Sequence, residues 1–106
     1  MTTRVRFAPA AQAELDDAAQ WCERRTAGVG AALVQAVYEA AEGIEQWPGI
    51  GAVIESLPTD RVVRRYPVAG FPYHLVGVHA DDEIYVVAVP YNRRAPRYWS
   101  QRVEGL

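Results

Sequence analysis

The amino-acid sequence predicts an α+β domain: a helical hairpin packed on one face of a small, mainly antiparallel sheet, in the order β-α-α-β-β-β. Three observations lead there. Two stretches with helical apolar spacing sit side by side in the first half, divided by a short glycine break. Strand-like runs joined by tight turns fill the second half, and one short alternating segment precedes the helices. Helices grouped early and a meander grouped late segregate into two layers around one core. The chain has 106 residues, half of them hydrophobic, enough for a single domain over 1–106 without metal or disulfide staples.

Val5-Arg6-Phe7 alternates apolar and polar side chains and forms the first strand. Ala8-Pro9 opens the first helix, because proline at the first helical position gives up no needed hydrogen bond. Ala11, Leu15, Ala18 and Cys22 follow at spacings of four, three and four, the stripe of an amphipathic helix. The opposite face carries Gln12, Glu14, Asp16, Asp17, Gln20 and Glu23 and is expected to face water. Ala27-Gly28-Val29-Gly30 breaks this helix.

The second helix runs to Trp47 on the stripe Leu33, Val37, Ala40, Ile44 and Trp47, and Pro48-Gly49 stops it. Alanines 31, 32, 36, 40 and 41 permit close packing against the first helix. Residues 51–60 read as a loop with an extended piece at Ala52-Val53-Ile54. Residues 61–66 form the next strand, ended by Pro67, and residues 71–79 the one after it. Asp81-Asp82 turns the chain into the last strand, 83–89. Its unbroken apolar run places it inside the sheet, covered on both faces or nearly so. The segment 95–102 fits either a short helix or an edge strand.

Net charge is −2, but its two halves differ in sign. Residues 1–60 hold four Arg against nine acids, and residues 61–106 hold seven Arg against four. A polyanion or an acidic partner should therefore meet the second half. The chain contains no Lys, which removes every lysine-based chemistry. Cys22 is alone, so an internal disulfide and a zinc cluster are both excluded. Its place on the buried stripe makes it inert packing. No run reaches the roughly 18 apolar residues that span a bilayer, and Met1-Thr2-Thr3-Arg4 lacks a signal peptide's apolar core. With the free thiol, this makes the cytoplasm the expected location.

Few residues are arranged for catalysis. Ser56 and Ser100 lack a nucleophile elbow. His74 and His79 are five apart on one strand, hence on opposite faces, which argues against a shared metal or proton relay. Asp81-Asp82-Glu83 lacks the ligand spacing of a calcium loop. Gly28-Val29-Gly30 joins two helices and holds no phosphate. No metal or cofactor is expected. The arginines remain: Arg61, Arg64 and Arg65 on the second-half strand, and Arg93, Arg94 and Arg97 in Tyr91-Asn92-Arg93-Arg94-Ala95-Pro96-Arg97-Tyr98-Trp99. Across the intervening strand they can converge at one end of the sheet on phosphates or an acidic peptide, with Tyr66, Tyr91 and Tyr98 available to stack. A structural alternative pairs Arg65 or Arg94 with the acidic helical face.

Over nearly its whole length the sequence resembles the RelE/ParE superfamily of bacterial type II toxins. The resemblance rests on Val5-Arg6-Phe7-Ala8-Pro9-Ala10-Ala11, the glycine break, Trp47-Pro48, Val63-Arg64-Arg65-Tyr66, Phe71-Pro72-Tyr73, Val86-Val87-Ala88-Val89 and Arg93-Arg94-Ala95-Pro96-Arg97-Tyr98-Trp99. It implies a growth-inhibiting toxin, of a kind associated with plasmid stabilisation, neutralised by a cognate antitoxin that wraps the helical hairpin and sheet. RelE-like members cut messenger RNA on the ribosome with Lys and Arg plus a C-terminal Tyr or Arg. ParE-like members lack that set and are associated with inhibition of DNA gyrase.

Without Lys, and with Arg a poor proton shuttle, the chain resembles the ParE branch more. Its net negative charge also suits ribosomal RNA badly. The expected target-binding surface is Arg64, Arg65, Arg93, Arg94, Arg97, Tyr98 and Trp99, with the arginines docking and the aromatics holding the tail. The expected antitoxin contacts are Leu15, Ala18, Leu33 and Val37, in a toxin-antitoxin hetero-oligomer. The alternatives are a RelE-like ribosome-dependent mRNA endonuclease using Arg65, Arg94 and Tyr98, and a non-toxic protein-binding module.

Overall fold

The structure, a computed structural model, describes residues 3–94, 96–104 and 106. Strand β1 (Arg4–Phe7) enters helix α1 (Pro9–Arg25), which a short turn joins to α2 (Val29–Gln46). A two-residue strand β2 (Ala52–Val53) precedes β3 (Val63–Pro67), β4 (His74–Ala80) and β5 (Glu83–Ala88). The chain then closes with a 3-10 helix, Ser100–Val103. The sheet has five strands in the order β1-β5-β4-β3-β2. β1 lies parallel to β5, pairing Val5 with Ile84, and the other pairings are antiparallel. The α+β expectation holds, with two refinements. The sheet is mixed, and the extended piece after α2 is a true edge strand. The uncertain tail is helical, though Ala95 lies outside the described residues.

The helical turn depends on two glycines and one carboxylate. Gly28 has φ +89°, a conformation open to glycine at little cost. Glu23 of α1 accepts from the Gly28 amide at 2.9 Å and the Gly30 amide at 3.0 Å, satisfying donors that the first turn of α2 leaves free. A Cβ on Gly30 would stand 2.5 Å from the Ala19 carbonyl oxygen, so the helices meet backbone to backbone there. The buried face of α2 is Gly30, Leu33, Val37, Ala41 and Ile44. Trp47, expected on that stripe, is 68% exposed instead, because the helix ends at Gln46 and the chain leaves the helical path.

The sheet is covered on both sides. Leu15, Leu33, Val37, Ile44, Tyr66, Leu75, Ile84 and Val86 form the core between helices and sheet. On the far face Val63, Val76, Val78, Val87 and Ala88 pack against Trp99 and Val103 of the tail, with Ile54 and Leu57 at the margin. The β4–β5 register shifts between Val76 and Gly77, whose partners are Ala88 and Val86, so Val87 is the extra residue of a bulge. The bulge sends both Val87 and Ala88 to the far core. This explains an apolar run too continuous for simple alternation. Among the described residues no helix is long and apolar enough to cross a membrane.

Two glycine substitutions should separate packing from helix propensity. Gly30→Ala forces the helices apart and should cost about 1–3 kcal/mol in urea unfolding. Gly43→Ala, in open space on α2, should add about 0.5–1 kcal/mol in the same measurement.

Candidate functional site

Strand parity decides which arginines can meet. On β3, Val63 and Arg65 point to the far face, and Arg64 and Tyr66 point to the helical face. Arg65 reaches across β4 towards the segment after β5, where its Nη2 donates to Asn92 Oδ1 at 3.4 Å. There Arg65, Arg94, Arg97, His74, Asn92 and Trp99 line a cavity of about 200 Å³. No carboxylate lies among its lining residues. Three arginines line that space without a carboxylate in its wall, which is therefore net positive, and Arg94 also lines a neighbouring cavity with Glu14 and Asp17 of α1. Arg97 reaches the Ser56 carbonyl at 3.2 Å, and both residues sit at positive φ, 63° and 62°. Such backbone is held only where its surroundings impose it.

His74 is the titratable base of this cavity. With Nδ1–H donating, it lies 2.8 Å from Asn92 Oδ1, leaving Nε2 as the ring's acceptor. Burial lowers its pKa first, and the Arg65 charge lowers it further against the opposing Asn92 hydrogen bond. The net effect favours the neutral ring. His79 faces the helical side, where its Nε2 lies 3.2 Å from the Tyr66 hydroxyl. Burial and Arg64 lower its pKa in turn.

The tail that carries Arg94 and Arg97 is pinned by Glu14 of α1. Its Oε1 accepts from the Tyr98 hydroxyl and from the Val89 amide, each at 2.9 Å. Its Oε2 pairs with Arg102 Nη1 at 2.8 Å, and that guanidinium also donates to the Val87 carbonyl at 3.0 Å. Arg94 stacks on the Tyr98 ring at 3.9 Å. Burial, with Glu14 adding to it, pushes the Tyr98 hydroxyl up to about 12.

The expected target surface therefore divides. Arg65, Arg94 and Arg97 line one cavity. Arg64 does not join them: its Nη1 donates to the carbonyls of Gly51 at 2.8 Å and Gly49 at 3.3 Å, tying down the loop after α2. Arg93 is exposed but lines no part of the cavity. Trp99 is only 4% exposed and belongs to the far core, with an edge at the cavity. Tyr98 gives its hydroxyl to Glu14 and is no free acid for RNA cleavage. Among the expected antitoxin contacts, Leu15, Leu33 and Val37 are fully buried against the sheet and cannot meet a partner. Their stripe is apolar because it is core. Ala18 is half-buried beside the exposed Trp21 and Tyr91, and remains accessible.

Glu14 was expected in water with Asp16 and Asp17, and the structure corrects this. A signal was present, since Glu14 lies three residues after Ala11 and four before Ala18, on the apolar stripe itself. Arg102, His74 and Asn92 had no comparable signal, because their partners are distant in sequence.

No family model matches the sequence, and no curated protein matches it. Among solved structures, a chain described as "Chromosomal ParDE TA system from P. aeruginosa" aligns with a TM-score of 0.68 at 18% identity, over 85% of this chain and 96% of that one. The likeness is one of fold. Two helices on a five-stranded mixed sheet are arranged as in that chain.

The two histidines set a pH dependence. Their folded pKa values lie below the ordinary 6.5, so the unfolded chain takes up protons first as pH falls. Their contribution is complete above about 6.5 and is lost as pH falls from there through the folded values. The thermal midpoint should be level between roughly pH 7 and 8 and decline below about 6.5. A His74→Gln/His79→Gln variant should show a flatter profile in the same calorimetric series.

Proposed function

We propose that this chain is the toxin of a bacterial type II toxin-antitoxin pair, a ParE-like inhibitor that docks on DNA gyrase rather than transforming a substrate. The observation that carries this reading is the carboxylate-free cavity where Arg65, Arg94 and Arg97 converge. Guanidiniums hold carboxylates and phosphates bidentately and keep their charge at every cellular pH. The shared fold with a chain of a ParDE system supports the choice of branch. So does the lack of Lys, together with a Tyr98 hydroxyl already committed to Glu14. Antitoxin capture would use the exposed Trp21 of the hairpin, 47% exposed, beside Ala18 and Tyr91. Covered aromatic surface of this kind stabilises protein interfaces.

One feature favours a second reading. His74, oriented by Asn92 and lining the cavity with three arginines, would serve as a general base for attack by a ribose hydroxyl on an adjacent phosphate. In a RelE-like endonuclease His74 would take the proton-transfer role expected of Tyr98, and Arg65 and Arg94 would stabilise the phosphorane.

Gyrase supercoiling measured with purified chain separates the two. Inhibition at micromolar toxin is expected, and Arg65→Ala or Arg94→Ala should weaken it about tenfold, the worth of one charge-assisted contact. Arg6→Ala, on the far edge strand, should leave it unchanged. Ribosome-programmed mRNA cleavage abolished by His74→Gln, with supercoiling untouched by the wild-type chain, would replace the gyrase reading by the second.

A further inference from the structure

Glu14 influences the arginine cavity without lining it. Its Oε1 holds the Tyr98 hydroxyl at 2.9 Å, the Tyr98 ring carries the Arg94 guanidinium at 3.9 Å, and Arg94 forms part of the cavity wall. Arg102, paired with Oε2, lies 5.4 Å from the same ring. Between β5 and the closing 3-10 helix, the described residues hold one isolated bridge, Tyr73 to Tyr91, and otherwise turns. Backbone bonds fix it as far as Arg94, with Asn92 N–H on the Pro72 carbonyl at 2.9 Å and Arg94 N–H on the Tyr91 carbonyl at 3.0 Å, and side-chain fastenings place the Arg94 side chain and the stretch beyond it. Trp99 and Val103 fasten its far end in the core. Tyr98 fastens the stretch next to the arginines.

We propose that Glu14 is a positioning residue for the arginine cavity: its carboxylate fixes Tyr98, and through Tyr98 the place of Arg94. The proposal rests on the docking role given above to that cavity and adds the residue that assembles it. A carboxylate suits the task because only an acceptor-only group with two oxygens can receive the Val89 amide, the Tyr98 hydroxyl and the Arg102 guanidinium together. A glutamine would keep one oxygen and turn an NH₂ towards Arg102. Among the described residues no ion pair joins Glu14 to Arg94, so the charge that answers the carboxylate belongs to Arg102, outside the cavity lining.

The test uses the full-length chain and two readouts. In the wild type the Arg94 side-chain protons should resonate upfield, because they lie over the Tyr98 ring. In Glu14→Ala and Glu14→Gln that ring-current shift should collapse while the methyl resonances of Leu75 and Val76 stay in place. Binding of a fluorescein-labelled oligothymidylate, used as a simple polyanion, should weaken about tenfold in Glu14→Ala and in Arg94→Ala alike. The double variant should lose no more than either single one, since the first residue acts through the second. An Arg94 shift that survives Glu14→Ala, or losses that add in the double variant, would overturn the proposal. Should Glu14→Ala fail to fold, Tyr98→Phe removes only the hydroxyl and must abolish the same shift. Gyrase left unaffected by a chain that shows this coupling would count against the target proposed above and not against Glu14.

Discussion

The carboxylate of Glu14 is the constraint from which the rest of this architecture follows. β5 must run through the interior of the sheet, yet at Val87 it bulges and two residues later it leaves the ladder. Those irregularities free the Val87 carbonyl and the Val89 amide in a buried setting, where an unmet polar group costs about 1–3 kcal/mol. Arg102 takes the carbonyl, Glu14 takes the amide, and the two pair with each other. One ion pair thus closes the strand end, joins α1 to the sheet and brings the tail home. A partly exposed ion pair alone contributes little. Here its hydrogen bonds to backbone make it a structural joint.

The bulge has a second consequence. By turning Val87 and Ala88 to the same side it deepens the apolar surface that Trp99 and Val103 cover. A sheet with one face under helices would ordinarily leave the other to water, and here the tail occupies it. That placement brings Arg97 to the cavity that Arg65 lines, with Arg94 at the rim it shares with α1. A small change in one strand's register therefore determines where three charges end up.

The charge pattern serves two purposes kept apart by the fold. The Arg64 guanidinium and the Glu23 carboxylate are used internally, on a loop and on a helix start. The cavity arginines meet neutral partners instead: a carbonyl, an amide oxygen and an aromatic ring. Like charges gathered in one wall oppose folding. The net negative charge of the whole molecule does not contradict this, because most acids lie on the helices.

Sequence alone determined the layers. Periods of 3.6 and 2 record which side of each element meets the core, so the hairpin, the strands and the buried stripes of Leu15, Leu33 and Val37 were legible one element at a time. The convergence of Arg65 with Arg94 and Arg97 was legible only as a possibility. What the stripes were for, core rather than partner contact, required knowing that the sheet covers them. Arg64 and Arg65 look alike in a list of residues, and they separate only when pairing assigns each a face. Glu14 with Tyr98 and Arg102, and His74 with Asn92, join residues far apart along the chain. No local period encodes such contacts, since they exist only once helices, sheet and tail have been brought together.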